Sequence, residues 1–217
     1  MKKALAICLS ILFVCCLAPS AEAAEKDQGL YLSIGAGYSM PTTQNDQYNW
    51  ALKLNNGPVA KGSVGYSFKA SSVLNLRTEF EISYRRYAAE SASRGSTTND
   101  LEGNVSYLSG MVNGLCDFKT GTGFTPFIGI GLGMSQVTWS EVVEKGNPTN
   151  GFDDSSNVFA YQVMGGVGYA LTDSLTLDFE YRYFHASDVD LISKTGTKKT
   201  WDNDTNHSFL IGLRYLF

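Results

Sequence analysis

His185 and Ser187 are separated by one residue, a spacing that puts an imidazole and a hydroxyl on the same side of an extended chain. Activating such a hydroxyl needs a base within hydrogen-bond reach and an acid that orients the base. The acids close by are Asp188 and Asp190, and no Glu follows Glu180. Asp202-x-Asp204-x-Asn206 opens like a calcium loop, but its sixth position is His207 where Gly is needed and its twelfth is Leu213 where Glu is needed. These acids therefore read as solvated loop residues, and no metal or other cofactor is expected. Gly129-x-Gly131-x-Gly133 and Gly165-Gly166-x-Gly168 lack the following Lys-Ser/Thr and the helix pattern of a phosphate loop. A third set is larger. Lys61, Arg77, Arg85, Arg182 and Arg214 alternate with apolar neighbours, and so do Glu79, Glu81, Asp117, Asp178 and Glu180.

The elements that must position these charges are extended. Residues 29–40, 58–68, 74–87, 105–118, 124–138, 158–171, 175–186 and 206–217 each alternate with period two. The third is the clearest: Leu74, Leu76, Phe80, Ile82 and Tyr84 share one face, Asn75, Arg77, Glu79, Glu81, Ser83 and Arg85 the other. The fourth is the weakest, with apolar residues on both parities; Asn113 and Asp117 decide that Leu108, Val112, Cys116 and Phe118 face outward. The last carries Phe209, Ile211, Leu213, Tyr215 and Phe217 in one row, interrupted by Leu210 and Leu216. Odd-numbered connections are long (41–57, 88–104, 139–157, 187–206) and even-numbered ones short (69–73, 119–123, 172–174). Short turns at one rim and long loops at the other characterise transmembrane barrels, with the short turns periplasmic.

If the charges face inward, a slip of one residue would turn all of them towards lipid. Each Arg or Lys at mid-bilayer would cost roughly 2–4 kcal/mol, and together they would exceed the stability of a typical domain. The inner set is balanced in sign, and an eight-stranded barrel is just wide enough to be filled by its own side chains. A lumen closed by ion pairs follows, with the inward glycines making room for long Arg and Tyr side chains. The rival fold is a soluble β-sandwich.

Composition agrees with an exported chain. Lys2 and Lys3 precede an apolar run from Ala4 to Ala18, and Ala21-Glu22-Ala23 fits a small-x-small cleavage site. Residues 1–23 read as a signal peptide and 24–217 as the barrel. Phe13-Val14-Cys15 is a poor lipobox before Cys16, so the lipoprotein alternative is weak. Cleavage would leave Cys116 alone, without a disulfide framework or zinc spacing. A net charge of −4 argues against nucleic acid as a partner.

Thr125-Pro126-Phe127-Ile128-Gly129-Ile130-Gly131-Leu132-Gly133, Gly165-Gly166-Val167-Gly168-Tyr169-Ala170-Leu171-Thr172-Asp173, Tyr181-Arg182-Tyr183 and Gly212-Leu213-Arg214-Tyr215-Leu216-Phe217 carry a resemblance to the small OmpA-like and Opa-like outer-membrane proteins, the eight-stranded "porin family". The likeness is to the barrel without a periplasmic domain. It implies an all-β fold, an eight-stranded antiparallel up-and-down transmembrane β-barrel in the outer membrane of a Gram-negative cell. It also implies that Phe217 is read by the barrel assembly machinery. The expected partners are outer-membrane lipids and lipopolysaccharide, with host or surface ligands reached through the loops. Arg86, on the outward parity near the rim, is the candidate contact for lipopolysaccharide phosphates. The expected role is a non-enzymatic surface protein, supporting the envelope or displaying adhesin-like loops, with a plugged lumen. The alternatives are a narrow porin for small solutes and, since outer-membrane lipid A deacylases carry a His-x-Ser pair, a deacylase using His185 and Ser187. The Asn that follows the Ser in those enzymes is Asp188 here.

Overall fold

A strand that is apolar on one face and charged on the other needs two environments, and this chain provides them by closing a sheet on itself. The computed structural model describes residues 28–46, 48–194, 196–202 and 204–217; the expected signal peptide lies outside them. The strands are β1 (Gly29–Pro41), β2 (Gln44–Asp46), β3 (Ala51–Leu54), β4 (Gly57–Lys69), β5 (Leu74–Arg94), β6 (Thr97–Phe118), β7 (Phe124–Glu144), β8 (Asn147–Ala170), β9 (Leu175–Ala186), β10 (Val189–Ile192), β11 (Lys198–Asp202) and β12 (Asp204–Leu216). Eight of them form an antiparallel ring, β1–β4–β5–β6–β7–β8–β9–β12, and β12 pairs back on β1 from Tyr31↔Leu216 to Pro41↔Asn206.

The register matches the alternation. Ile34, Ile82, Ile130 and Ile211 stand outward, 53–66% exposed, a level of apolar exposure that water would not tolerate around a whole cylinder. Tyr38, Tyr66, Phe68, Tyr84, Phe118, Tyr169 and Tyr215 bound this belt at its two rims, as interfacial girdles do. Tyr31, Arg77, Glu81, Asn113, Gln162 and Arg182 face inward and are buried.

The long connections differ from their expected character. Residues 88–104 and 139–157 are mostly strand: β5 runs directly into β6 through a turn at Gly95, and β7 into β8 through a turn at Gly146. Residues 41–57 and 187–206 carry β2, β3, β10 and β11, which line up as β10–β11–β2–β3–β5 above the barrel. Above the membrane the outward face is wet, so Ser, Thr and Asn on it resemble loop composition although the backbone stays extended. A level of irregular pairing marks the change of environment, with register shifts at Lys53/Leu54, Ala88/Ser91, Glu102/Asn104 and Trp139/Val142. Gly103 adopts φ +113, and a Cβ there would strike the backbone of Glu141, itself at φ 49. Bulges of this kind sharpen the local twist and bend the walls over the lumen.

Candidate functional site

The lumen is the part of the molecule where unusual side chains gather, and it is filled in two layers. In the lower layer Arg182 donates from Nη2 to Glu81 Oε2 at 2.8 Å and from Nε to Glu180 Oε1 at 2.9 Å. Lys61 bonds Glu180 and lies 3.7 Å from Glu81. Arg77 grips Asp117 through Nε and Nη2 at 2.7 and 2.8 Å, and Arg214 grips Asp178 at 3.0 and 3.1 Å. Two-pronged pairs of this kind are the strong form of an ion pair. Glu79 is held by neutral donors instead: Tyr31 at 2.8 Å, Asn113 at 2.9 Å and Ser63 at 3.1 Å. Gln162 donates to Asn113 at 2.8 Å and continues the lattice across the barrel. Gly65 is what lets Tyr31 lie flat, since a Cβ there would overlap the phenol ring.

Arg85 does not join these pairs. It is fully buried, its guanidinium sits 3.8 Å from the Phe184 ring centroid, and Nε and Nη1 have no hydrogen-bond partner among the described residues. Nη2 reaches only Ser83, at 3.4 Å. So the structure brings nine of the ten expected inner charges into a lattice of ion pairs and hydrogen bonds, and leaves the tenth stacked on an aromatic face.

Arg85 marks the floor of the second layer. Leu52, Tyr87, Val105, Tyr107, Val137, Trp139, Phe152, Phe184, Leu191 and Trp201 form one buried apolar cluster over it. Asp204 ties β2 to the barrel wall: its Oδ1 accepts from Gln44 Nε2 and from the Tyr107 hydroxyl, each at 2.9 Å. Asp204 lies above the lipid belt, since the outward row of β12 turns polar at His207 and Thr205. Burial pushes its carboxyl up to about 7, against the pull of the Tyr107 hydroxyl and the Arg85 charge. This layer was missed in the sequence, although Tyr107, Met111, Val137 and Trp139 on the inward parity carried its signal.

The remaining candidates are scattered. His185 faces outward, its Nδ1 3.0 Å from Thr205 Oγ1 and its ring against Tyr161. Among the described residues no hydrogen bond joins His185 to Ser187 and no acid reaches the imidazole. Asp190 is engaged by Lys198 at 2.9 Å and Thr200 at 2.7 Å, and the described residues contain no metal-ligating cluster. Arg86 is exposed, two residues beyond Tyr84. Phe217 is outward, its ring 5.0 Å from Tyr215 and its N–H donating to Leu30 O at 3.0 Å.

An eight-stranded antiparallel cylinder with a lipid-compatible belt and a packed lumen defines an integral outer-membrane barrel protein. The chain belongs to the family described as outer membrane protein beta-barrel domain, whose model matches residues 6–217. It is 30% identical over 247 residues to the outer membrane protein PagN of Salmonella typhimurium, with all of both chains covered. Two solved structures share the fold. Neisserial surface protein A has a TM-score of 0.54 at 20% identity, covering 90% of this chain and 100% of that one. The outer membrane protein OprG from Pseudomonas aeruginosa has a TM-score of 0.58 at 13% identity, covering 88% and 97%. The chain is a protein of the outer membrane.

Proposed function

We propose that this barrel is a non-enzymatic surface protein whose lumen is closed and whose extracellular walls display a binding surface. The observation that supports this reading is the double closure among the described residues, an ion-pair lattice surmounted by an apolar core. A conducting pore needs water-filled continuity, and an eight-stranded barrel supplies little spare width. Planar-bilayer recording of the full chain tests it: no reproducible conductance is expected, and stable unitary steps would overturn it.

One observation favours a narrow pore as the second reading. A periplasmic vestibule of about 550 Å³ opens at the short-turn rim and is lined by Tyr31, Asp117, Lys119, Thr176 and Arg214. It ends at the Arg77–Asp117 and Arg214–Asp178 pairs, so conduction would require those pairs to part. The reading also assigns Arg86 to lipopolysaccharide phosphates, whose oxygens match a guanidinium. Arg86→Ala is expected to weaken lipopolysaccharide affinity while thermal stability stays unchanged; equal affinity would remove that assignment.

A further inference from the structure

Within the extracellular cap lies a cleft of about 210 Å³ whose walls include Trp50, Trp139 and Trp201, with Asn99, Glu144 and Lys199 among its polar members. These are all three tryptophans of the chain. The Trp139 and Trp201 rings lie 5.1 Å apart, and Phe152 packs 5.3 Å from Trp139. Trp201 is 4% exposed, and its indole Nε1 has no hydrogen-bond acceptor among the described residues. Lys199 is held at the cleft by Asp46 at 3.5 Å and by the Phe152 face at 5.8 Å.

Each feature narrows the ligand. An aromatic wall favours a molecule with an apolar, slightly positive C–H face. The indole N–H is closed to water and has no acceptor, a costly arrangement that a ligand oxygen would relieve once the ring turns its N–H into the cleft. An aliphatic chain offers no acceptor. A quaternary ammonium offers none either and would meet the Lys199 charge. A sulfated or phosphorylated sugar would meet Glu144 in a cap whose connections hold more acids than bases. An uncharged sugar ring has both the C–H face and the oxygens, and one hexopyranose fills on the order of 150–200 Å³ at ordinary packing density.

We propose that this cleft binds one uncharged pyranose of a glycan presented from outside the membrane. The cleft stands well above the Tyr84 girdle, which points to a ligand arriving from the medium rather than from the bilayer. The inference rests on the reading of the cap as a display surface and gives that surface a ligand class.

The test uses the full chain in a polyoxyethylene detergent, which has no sugar headgroup, and reads intrinsic tryptophan fluorescence, since every indole lines the site. Glucose, galactose, mannose and N-acetylglucosamine are titrated in turn. At least one is expected to give a saturable change with a dissociation constant on the order of 1 mM. Trp201→Phe keeps a ring and removes the N–H, and should weaken binding about five- to tenfold. Asn99→Ala, at a half-buried position outside the apolar core, should weaken it too while heat-modifiable gel mobility stays native. No saturable response up to about 100 mM of any hexose, or unchanged affinity in both variants, would overturn the proposal. So would an equal or tighter response to tetramethylammonium or decanol, or a response confined to the core oligosaccharide of the cell's own lipopolysaccharide. Conductance steps would unseat the closed lumen and leave the cleft standing; a flat titration would do the reverse.

Discussion

Below Arg85 the interior of the barrel is a lattice of ion pairs with a greasy exterior; above it the interior is tryptophan, tyrosine and leucine with a wet exterior. The register shifts near this boundary change the pairing, yet along β5 the inward parity carries through from one region to the other. β5 keeps one parity from Arg77, Glu79 and Glu81 through Tyr87 to Ala89, all buried, while its outward row passes from Phe80 and Ile82 to Arg86. The same alternation is thus written twice with opposite sign, inside-out where lipid surrounds it and right-side-out where water does. Charges in the lower layer are informative because lipid accepts only one face of the strand. In the upper layer that constraint is gone, and ordinary burial decides.

The sharpest break of this contrast is Arg182→Ala. It leaves Glu81 and Glu180 to share Lys61 in a dry interior, and losing one partner of a buried pair costs about 3–5 kcal/mol. A lower urea midpoint of heat-modifiable mobility would report it, with the whole barrel unfolding together. Trp139→Ala removes a comparable volume from the cap, worth about 3 kcal/mol for a buried aromatic. Here the expectation is local: β10 and β11 become protease-sensitive while the barrel keeps its folded mobility. If instead the barrel loses that mobility, the two layers are one cooperative unit.

Asp204 gives the contrast a pH dependence. Its carboxyl titrates near 7 in the fold and near 4 when unfolded, so the folded state holds the proton more tightly. The associated stability is fully present below about pH 4 and is lost as pH rises through about 7. Acidification from pH 8 to pH 5 should therefore stabilise the cap by on the order of 2 kcal/mol, and Asp204→Asn should flatten the profile, as read by cap proteolysis at the two pH values. The smallest effect is expected for Arg85→Met. A buried guanidinium without a carboxylate brings little beyond its stacking on Phe184, so an apolar replacement of similar length should change stability by less than about 1 kcal/mol or raise it. A loss comparable to that of Arg182→Ala would show that Arg85 belongs to the lower layer after all.

The barrel was legible from the sequence for the reason these variants probe. Residues 74–87 could be set in register because the wrong choice would have turned Arg77 and Glu81 towards lipid. Residues 105–118 looked weakest because their inward row mixes Asn113 and Asp117 with Tyr107, Met111 and Leu115, all buried in the lumen. Residues 88–104 and 139–157 passed for loops because Ser, Thr and Asn on a wet strand face look like loop composition. The gathering of Trp50, Trp139 and Trp201 was invisible, since they come from three connections that meet only when β3, β7 and β11 are placed. Arg85 was assigned to the ion pairs on parity alone; parity fixes which wall a side chain leaves from, and its height decides what it meets.

The hairpins β5–β6 and β7–β8 continue as paired strands far past the girdle, roughly 20–25 Å along the walls once tilt is allowed for, and turn only at Gly95 and Gly146. An antibody raised against a short linear peptide from those walls would find no such string on the living cell. Only the turn tips offer a contiguous stretch; everywhere else the immune-visible face is assembled from neighbouring strands, so recognition depends on the barrel being intact.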